Sequence, residues 1–211
     1  MISFQLFGIP VRIEPWFWVT MAFIGGGLGG NVSLSILLVL VFMLAGFISI
    51  LVHELGHALM LRKLGHATAI TLRAFGGYAV YPAGALSRKQ SLIVTAAGPA
   101  LQISLGIVLW ALHALVAIPP ESLLYALLFD LITISIIWAI LNCLPIFPMD
   151  GGQMLADLLG PKRAHFVHLV SALSALLIGL AVFQLLNSWL LPLFMAWFAW
   201  QNWQAFLVHR R

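Results

Sequence analysis

Long apolar runs, interrupted by short polar or glycine-rich stretches, dominate the 211 residues, and at helical lengths they predict a polytopic α-helical membrane protein. Six spans are expected at approximately 15–30, 34–61, 91–117, 122–144, 167–187 and 189–207. The first is short against the roughly 20 residues a helix needs to cross a bilayer, and it ends in the glycine-rich "GGGLGG". The fourth stops at Pro145, and the last two are joined by the brief polar turn Asn187-Ser188. One stretch has a different period. "HATAITLRAFGGYAVYP", residues 66–82, alternates and carries β-branched and aromatic residues around Gly76-Gly77, so a small β hairpin at the membrane is expected there.

Composition supports the membrane reading: 63% of residues are hydrophobic and 8% charged, against about 25% charged in a soluble domain. The single cysteine, Cys143, excludes an internal disulfide framework and a cysteine-rich zinc module. The net charge of +4 comes without a long basic run or a nucleic-acid-binding motif, so no nucleic-acid partner is expected. Charge instead reports topology. Arg12 precedes span 1; Arg62, Lys63, Arg73, Arg88 and Lys89 lie between spans 2 and 3; Lys162 and Arg163 lie between spans 4 and 5; Arg210 and Arg211 follow span 6. With six spans all ten basic residues fall on one face, the cytoplasmic one by the positive-inside bias, leaving Glu121 as the one charge opposite. Both termini and most loops are then cytoplasmic, and the cell membrane is the expected location. No basic region precedes the first apolar run, which reads as a mature span and not a signal peptide.

Chemistry enters in span 2, where "HELGH" occupies residues 53–57 of an otherwise apolar run. Counting back from Arg62 and Lys63 at about 1.5 Å per residue places His57 about 8 Å and His53 about 14 Å below the cytoplasmic charges, within the hydrocarbon. His53 and His57 are four apart and share one helical face, with Glu54 close enough to act on a water between the imidazoles. Neutral imidazoles suit zinc, which lowers the pKa of bound water while a carboxylate takes its proton. Single histidines in a membrane helix commonly just bond across a bundle; all three groups together in H-E-x-x-H spacing point to metal-dependent hydrolysis. Gly56 leaves one side of this turn bare for a neighbouring helix or a substrate backbone.

A catalytic zinc normally takes a third protein ligand. Asp130, Cys143, Asp157 and the other histidines are candidates, and Asp150 stands out within "NCLPIFPMDGGQ", residues 142–153. Pro145 and Pro148 break the helix of span 4, and Gly151-Gly152 admits sharp dihedrals after the acid. From local sequence Asp150 is equally a metal ligand or the N-cap of a short helix from about 151 to 159. A strand edge in the 66–82 region would offer backbone groups to an extended peptide, a use for inward Ile70 and Leu72, or would simply cover the cytoplasmic mouth.

Taken together, His53-Glu54-Leu55-Gly56-His57, Gly76-Gly77-Tyr78, Gly98-Pro99 and the segment from Asn142 to Gly152 with Pro145, Pro148 and Asp150 resemble the site-2 protease family of intramembrane zinc metalloproteases. The likeness spans predicted helices 2 to 4. It implies that His53, His57 and Asp150 ligate one Zn2+ per chain, that Glu54 is the general base, and that Asn142 orients substrate near the metal. It also implies that the strands at Gly76 and Gly77 meet the substrate. The implied substrate is a transmembrane helix of a single-span regulatory protein, often already cut by another protease. One departure is Gln102, which stands where the family's third-span signature usually has asparagine; it keeps the amide at a different reach. No PDZ or CBS domain is expected, so the 211 residues read as a single minimal metalloprotease domain. A metal or solute transporter, or a member that binds its client without cutting it, are the competing classes; polar residues through both leaflets would mark the first, and the intact Glu54 argues against the second.

Overall fold

The computed structural model describes residues 1–27, 35–74, 76–80, 84–186 and 189–210. It is a polytopic α-helical membrane protein, and it divides into two compact units, Met1–Ala85 with Ala97–Ile140 and Leu86–Ala96 with Leu141–Arg211.

The first unit opens with two strands, β1 (Ile2–Leu6) and β2 (Ile9–Ile13), turned at Phe7 and Gly8, whose φ angles of 51° and 74° lie in the left-handed region. Helices α1 (Pro15–Gly27) and α2 (Ile36–Lys63) follow, then β3 (Ala69–Arg73) and β4 (Gly76–Val80). The sheet order is β1-β2-β3-β4. β1 and β2 are antiparallel, as are β3 and β4, while β2 and β3 run parallel with Val11 opposite Ile70 and Ile13 opposite Leu72. Alternation makes this possible. Ile9, Val11, Ile13, Ile70 and Leu72 are buried and cluster with Phe17 and Met21 of α1 and Ile50, Leu51, Leu55 and Ala58 of α2. The sheet thus rests on the half of α2 that carries the histidines.

Ser35 caps α2, its hydroxyl accepting from the Leu37 amide at 3.3 Å, and Gly65 terminates it. With φ +85°, Gly65 lets the His66 amide turn back onto the Leu61 carbonyl at 3.0 Å, satisfying a carbonyl the last turn would orphan. Two cations tie the sheet down: Arg62 donates to the Phe7 carbonyl, and Arg73 pairs with Glu14 at 3.1 Å while lying over the Tyr78 ring. The unit is completed by most of α3 (Arg88–Leu115) and of α4 (Leu123–Asn142).

The second unit takes the first turns of α3, the segment after Asn142, α5 (Asp150–Leu159), a 3-10 turn at Pro161–Arg163, α6 (Ala164–Leu186) and α7 (Leu190–His209). Its core joins Ile146 to Ala175 of α6 and Met195 of α7. Arg88 donates to the carbonyls of Asp157 and Leu158, each at 2.7 Å, placing a cation at the negative end of α5.

Three expectations change against the structure. Among the described residues four helical segments are long and apolar enough to cross a bilayer, Ile36–Lys63, Arg88–Leu115, Leu123–Asn142 and Pro161–Leu185. α1 has 13 residues, and α7, at 20 residues, includes Gln201, Asn202 and Gln204. The hairpin expected at 66–82 exists, but as half of a four-stranded sheet whose other half is the N-terminal twelve-odd residues. Finally, Gly76 and Gly77 are the first residues of β4, not the connection itself. Residues 28–30 at the end of span 1 and the turn Asn187-Ser188 lie outside the described residues.

Candidate metal centre

α2 presents His53 and Glu54 as buried residues, each 4% exposed, and His57 one turn further on. The two imidazoles face each other edge to face, with Nε2 atoms 3.1 Å apart. Two nitrogens on a tetrahedral zinc at the usual bond lengths of 2.0–2.1 Å stand about 3.3 Å apart, so this spacing fits a shared ion. On its other side, His53 Nδ1 lies 2.8 Å from Gln102 Oε1.

Glycines make the closeness possible. A side chain at Gly56 would strike the backbone of Ala97 and Gly98, with the added Cβ 2.3 Å from the Ala97 carbonyl oxygen, so α2 and α3 meet here backbone to backbone. One at Gly98 would lie 2.2 Å from His57 Nε2, and one at Gly77 would lie 2.6 Å from Glu54 Cγ. The bare flank of Gly56 is therefore occupied by a helix, Gly98 leaves room for an imidazole, and Gly77 brings β4 against the carboxylate. Gly76 differs: it has open space around it and a φ of +138°, so its need is conformational.

Asp150 belongs to the second unit. It is the first helical residue of α5, 8% exposed, and the N-cap is Met149, which makes no side-chain capping bond. Asp150 is thus not the N-cap; a carboxylate in the first turn is favoured by the helix dipole. Gly151 and Gly152 are helical, and what they supply is an absent side chain: a Cβ would lie 2.2 Å from the Cys143 carbonyl and 2.3 Å from the Phe147 nitrogen respectively. α5 therefore starts in direct contact with the broken chain before it. That irregular chain is satisfied by side chains the sequence did not single out. The Phe147 amide donates to Ser171 Oγ at 3.0 Å, and its carbonyl accepts from Asn202 Nδ2 at 2.6 Å. Asn202 Oδ1 in turn lies 2.9 Å from His168 Nδ1. His168, one of the other histidines considered as a ligand, is engaged here by Asn202. Asn142 ends α4 half-buried, and Cys143 is exposed.

His53, His57 and Asp150 make up a His/His/Asp cluster able to hold a metal ion, each offering one ligand atom. The first unit gathers His53, Glu54, His57, Gln102 and Gly77. Sequence reasoning passed over Ser49, Ser135, Ser171 and Asn202; a polar residue inside an apolar helix is the signal that could have marked each.

Several apolar helices and a His/His/Asp cluster, its two histidines on one H-E-x-x-H helix, define a polytopic membrane protein with a candidate metal centre. No family model matches the chain. It is 28% identical over 165 residues to a zinc metalloprotease of Methanocaldococcus jannaschii, covering 77% of this chain and 46% of that protein. It is 29% identical over 199 residues to stage IV sporulation protein FB of Bacillus subtilis, covering 89% and 64%. The chain thus spans less than two thirds of either relative. Among solved structures it matches the site-2 protease from Methanocaldococcus jannaschii with a TM-score of 0.67 at 26% identity, covering 97% of this chain and 94% of that one. In sequence and in fold the chain is thus similar to the site-2 protease family.

Proposed function

We propose that this chain is a zinc-dependent intramembrane endopeptidase that hydrolyses peptide bonds in or near a transmembrane helix of a membrane-anchored regulatory protein. The observation carrying this reading is the pair of imidazole nitrogens 3.1 Å apart beside a buried carboxylate. His53, His57 and Asp150 are the residues that would hold one zinc per chain. When bound, the ion supplies Lewis acidity, making water a nucleophile near neutral pH and polarising a peptide carbonyl. Glu54 accepts the proton of the attacking water on its carboxylate and delivers a proton to the departing amine. Its near-complete burial excludes bulk water from that exchange.

Substrate presentation falls to β4. It is an edge strand of the sheet, and Gly77 holds it against Glu54, so an unwound segment adding to that edge brings its backbone to the base. Ile70 and Leu72, considered at first for this role, are fully buried in β3, an interior strand, and serve the sheet core. Asn142 orients the substrate, and Gly76 shapes the start of the edge strand. The reading includes six spans, both termini at the cytoplasmic face of the cell membrane, and the 211 residues acting as one metalloprotease domain on a client already trimmed by another protease.

Glu54→Gln tests the reading, since it keeps volume and removes the base. The variant should fold, retain zinc and capture single-span membrane proteins while cutting them at least about 100-fold more slowly. Cut sites identified by mass spectrometry should fall in the cytoplasmic half of the client's span. Undiminished cleavage would remove Glu54 as base, and solute flux abolished by changes at His53 or His57 would favour a transporter.

A further inference from the structure

The first unit contains a buried polar chain that leads away from the metal side of His53. Gln102 of α3 places Oε1 2.8 Å from His53 Nδ1, and its Nε2 donates to Ser49 Oγ at 2.9 Å. Ser49 Oγ lies 2.9 Å from Ser135 Oγ of α4. Ser49, Gln102 and Ser135 have no exposed surface, so three transmembrane helices contribute to one dry hydrogen-bonded line.

The protons in this line can be placed. An imidazole that offers Nε2 to a metal carries its hydrogen on Nδ1, and a buried N–H needs an acceptor. Gln102 Oε1 is that acceptor. The amide hydrogen of Gln102 then goes to Ser49, whose hydroxyl shares a hydrogen bond with that of Ser135. With the amide reversed, Nε2 of Gln102 would donate to Nδ1 and force the His53 proton onto its Nε2, where it would block a ligand lone pair. A serine hydroxyl accepts or donates, so Ser49 anchors the far end of the amide without choosing its sense; the need of a ligating His53 for an acceptor at Nδ1 sets it.

Reach explains the residue type. Ser49 and His53 are four apart on one face of α2, and the Gln102 amide bridges that turn, oxygen to one and nitrogen to the other. Gln102 is itself four residues beyond Gly98, which makes room for His57, so one face of α3 serves both histidines. We propose that Gln102 is a positioning residue of the metal centre, its Oε1 accepting the Nδ1 hydrogen of the His53 tautomer that leaves Nε2 to the ion, with Ser49 and Ser135 anchoring the far end of its amide. The inference rests on the metalloprotease reading, in that His53 must be a ligand.

The test is a zinc titration against a chromogenic chelator, run on the purified full chain in detergent beside thermal unfolding of the metal-free protein. Gln102→Leu removes the acceptor at similar size and should weaken zinc binding about 10- to 100-fold. Gln102→Glu keeps an oxygen toward His53 and accepts from the Ser49 hydroxyl, so it should hold zinc as tightly as the natural chain or more so. Ser49→Ala, which removes the anchor at the far end of the amide, should weaken binding less than Gln102→Leu. Unaltered zinc affinity in Gln102→Leu would overturn the inference, as would a Gln102→Glu loss as large as that of His53→Ala. If Gln102→Leu does not fold, the Gln102→Glu result decides. A purely structural role would lower the unfolding temperature of both variants and leave zinc affinity unchanged. A natural chain that binds no zinc, or binds it equally well as His53→Ala, would instead remove the metalloprotease reading beneath the inference.

Discussion

Gly77 and Gly98 are where the smallest side chains set the largest chemical consequences. Ala is a better helix former than Gly by about 1 kcal/mol, so a helical glycine that persists against an imidazole indicates a steric demand. In Gly98→Ala the new methyl would lie 2.2 Å from His57 Nε2, displacing the ring. Zinc content should fall sharply, together with cleavage. Gly77→Ala intrudes on Glu54 and not on a proposed ligand, its methyl 2.6 Å from Cγ. That variant should retain zinc and lose turnover on the order of 100-fold, the cost of the proposed base being misplaced by about 1 Å. Metal analysis and single-turnover cleavage measured on both proteins separate the two outcomes; equal zinc loss in both would place Gly77 among the structural glycines. At this scale the sequence was informative where spacing is local. His53, Glu54 and His57 lie within one turn and a half of a single helix, so their type and interval sufficed. The Gln102 bond to His53 depends on how α3 crosses α2, which no local interval encodes.

Elements place Asp150, the remaining proposed ligand. The segment between α4 and α5 has two prolines and an irregular backbone, and such a backbone inside a membrane protein must find its hydrogen bonds in neighbouring side chains. Ser171 of α6 and Asn202 of α7 provide them to the two backbone groups of Phe147, three residues before Asp150. Asn202→Leu leaves a buried carbonyl without that donor and should destabilise the fold by about 1–3 kcal/mol. It should also weaken zinc binding, because the strand of chain that carries Asp150 loses its anchor. Ser171→Ala should do the same to a smaller degree, since a neutral hydroxyl acceptor is lost from one amide. Denaturant unfolding with and without zinc checks both; an Asn202→Leu protein with natural stability would mean that Phe147 is held by its packing alone. The proline and glycine punctuation announced this break, whereas its anchors come from helices 24 and 55 residues away along the chain. The sheet was legible by half for a similar reason. Alternation at Ile2, Phe4 and Leu6 and at Ile9, Val11 and Ile13 is as regular as that of β3, but it runs directly into Trp16-Phe17-Trp18 and was absorbed into the approach to a span. The parallel register of β2 with β3 joins chain segments on opposite sides of α1 and α2, a pairing that hairpin signals do not report.

At the scale of the molecule, the sheet bears on how the first unit threads a bilayer. β3 follows α2 within six residues of Lys63, and β2 pairs with β3. Arg62, at that same end of α2, donates to the Phe7 carbonyl. The N-terminal strands are therefore at the basic end of α2, while Ser35, which caps its other end, is about 42 Å away along a 28-residue helix. The chain from Glu14 to Ser35 must cover that distance in the opposite direction to α2. α1 accounts for about 20 Å of it with 13 residues, which is why it falls short of a spanning helix by length while its course still favours a crossing. Arg12, Arg62, Lys63, Arg73, Arg88, Lys89, Lys162, Arg163 and Arg210 are all exposed, as basic residues at a membrane face should be. The six crossings proposed would put every one of them in the cytoplasm; treating α1 as an in-plane helix would put Arg12 and Arg62 on opposite faces, against the Phe7 bond. Single-cysteine variants in a Cys143→Ser background decide this, because Cys143 is exposed and would otherwise react. In intact cells a membrane-impermeant maleimide should label Glu121→Cys, and should label Arg12→Cys, Lys89→Cys and Lys162→Cys only after permeabilisation. Labelling of Arg12→Cys from outside would sink the six-span count, and complete reversal of the pattern would invert the orientation that the basic residues imply.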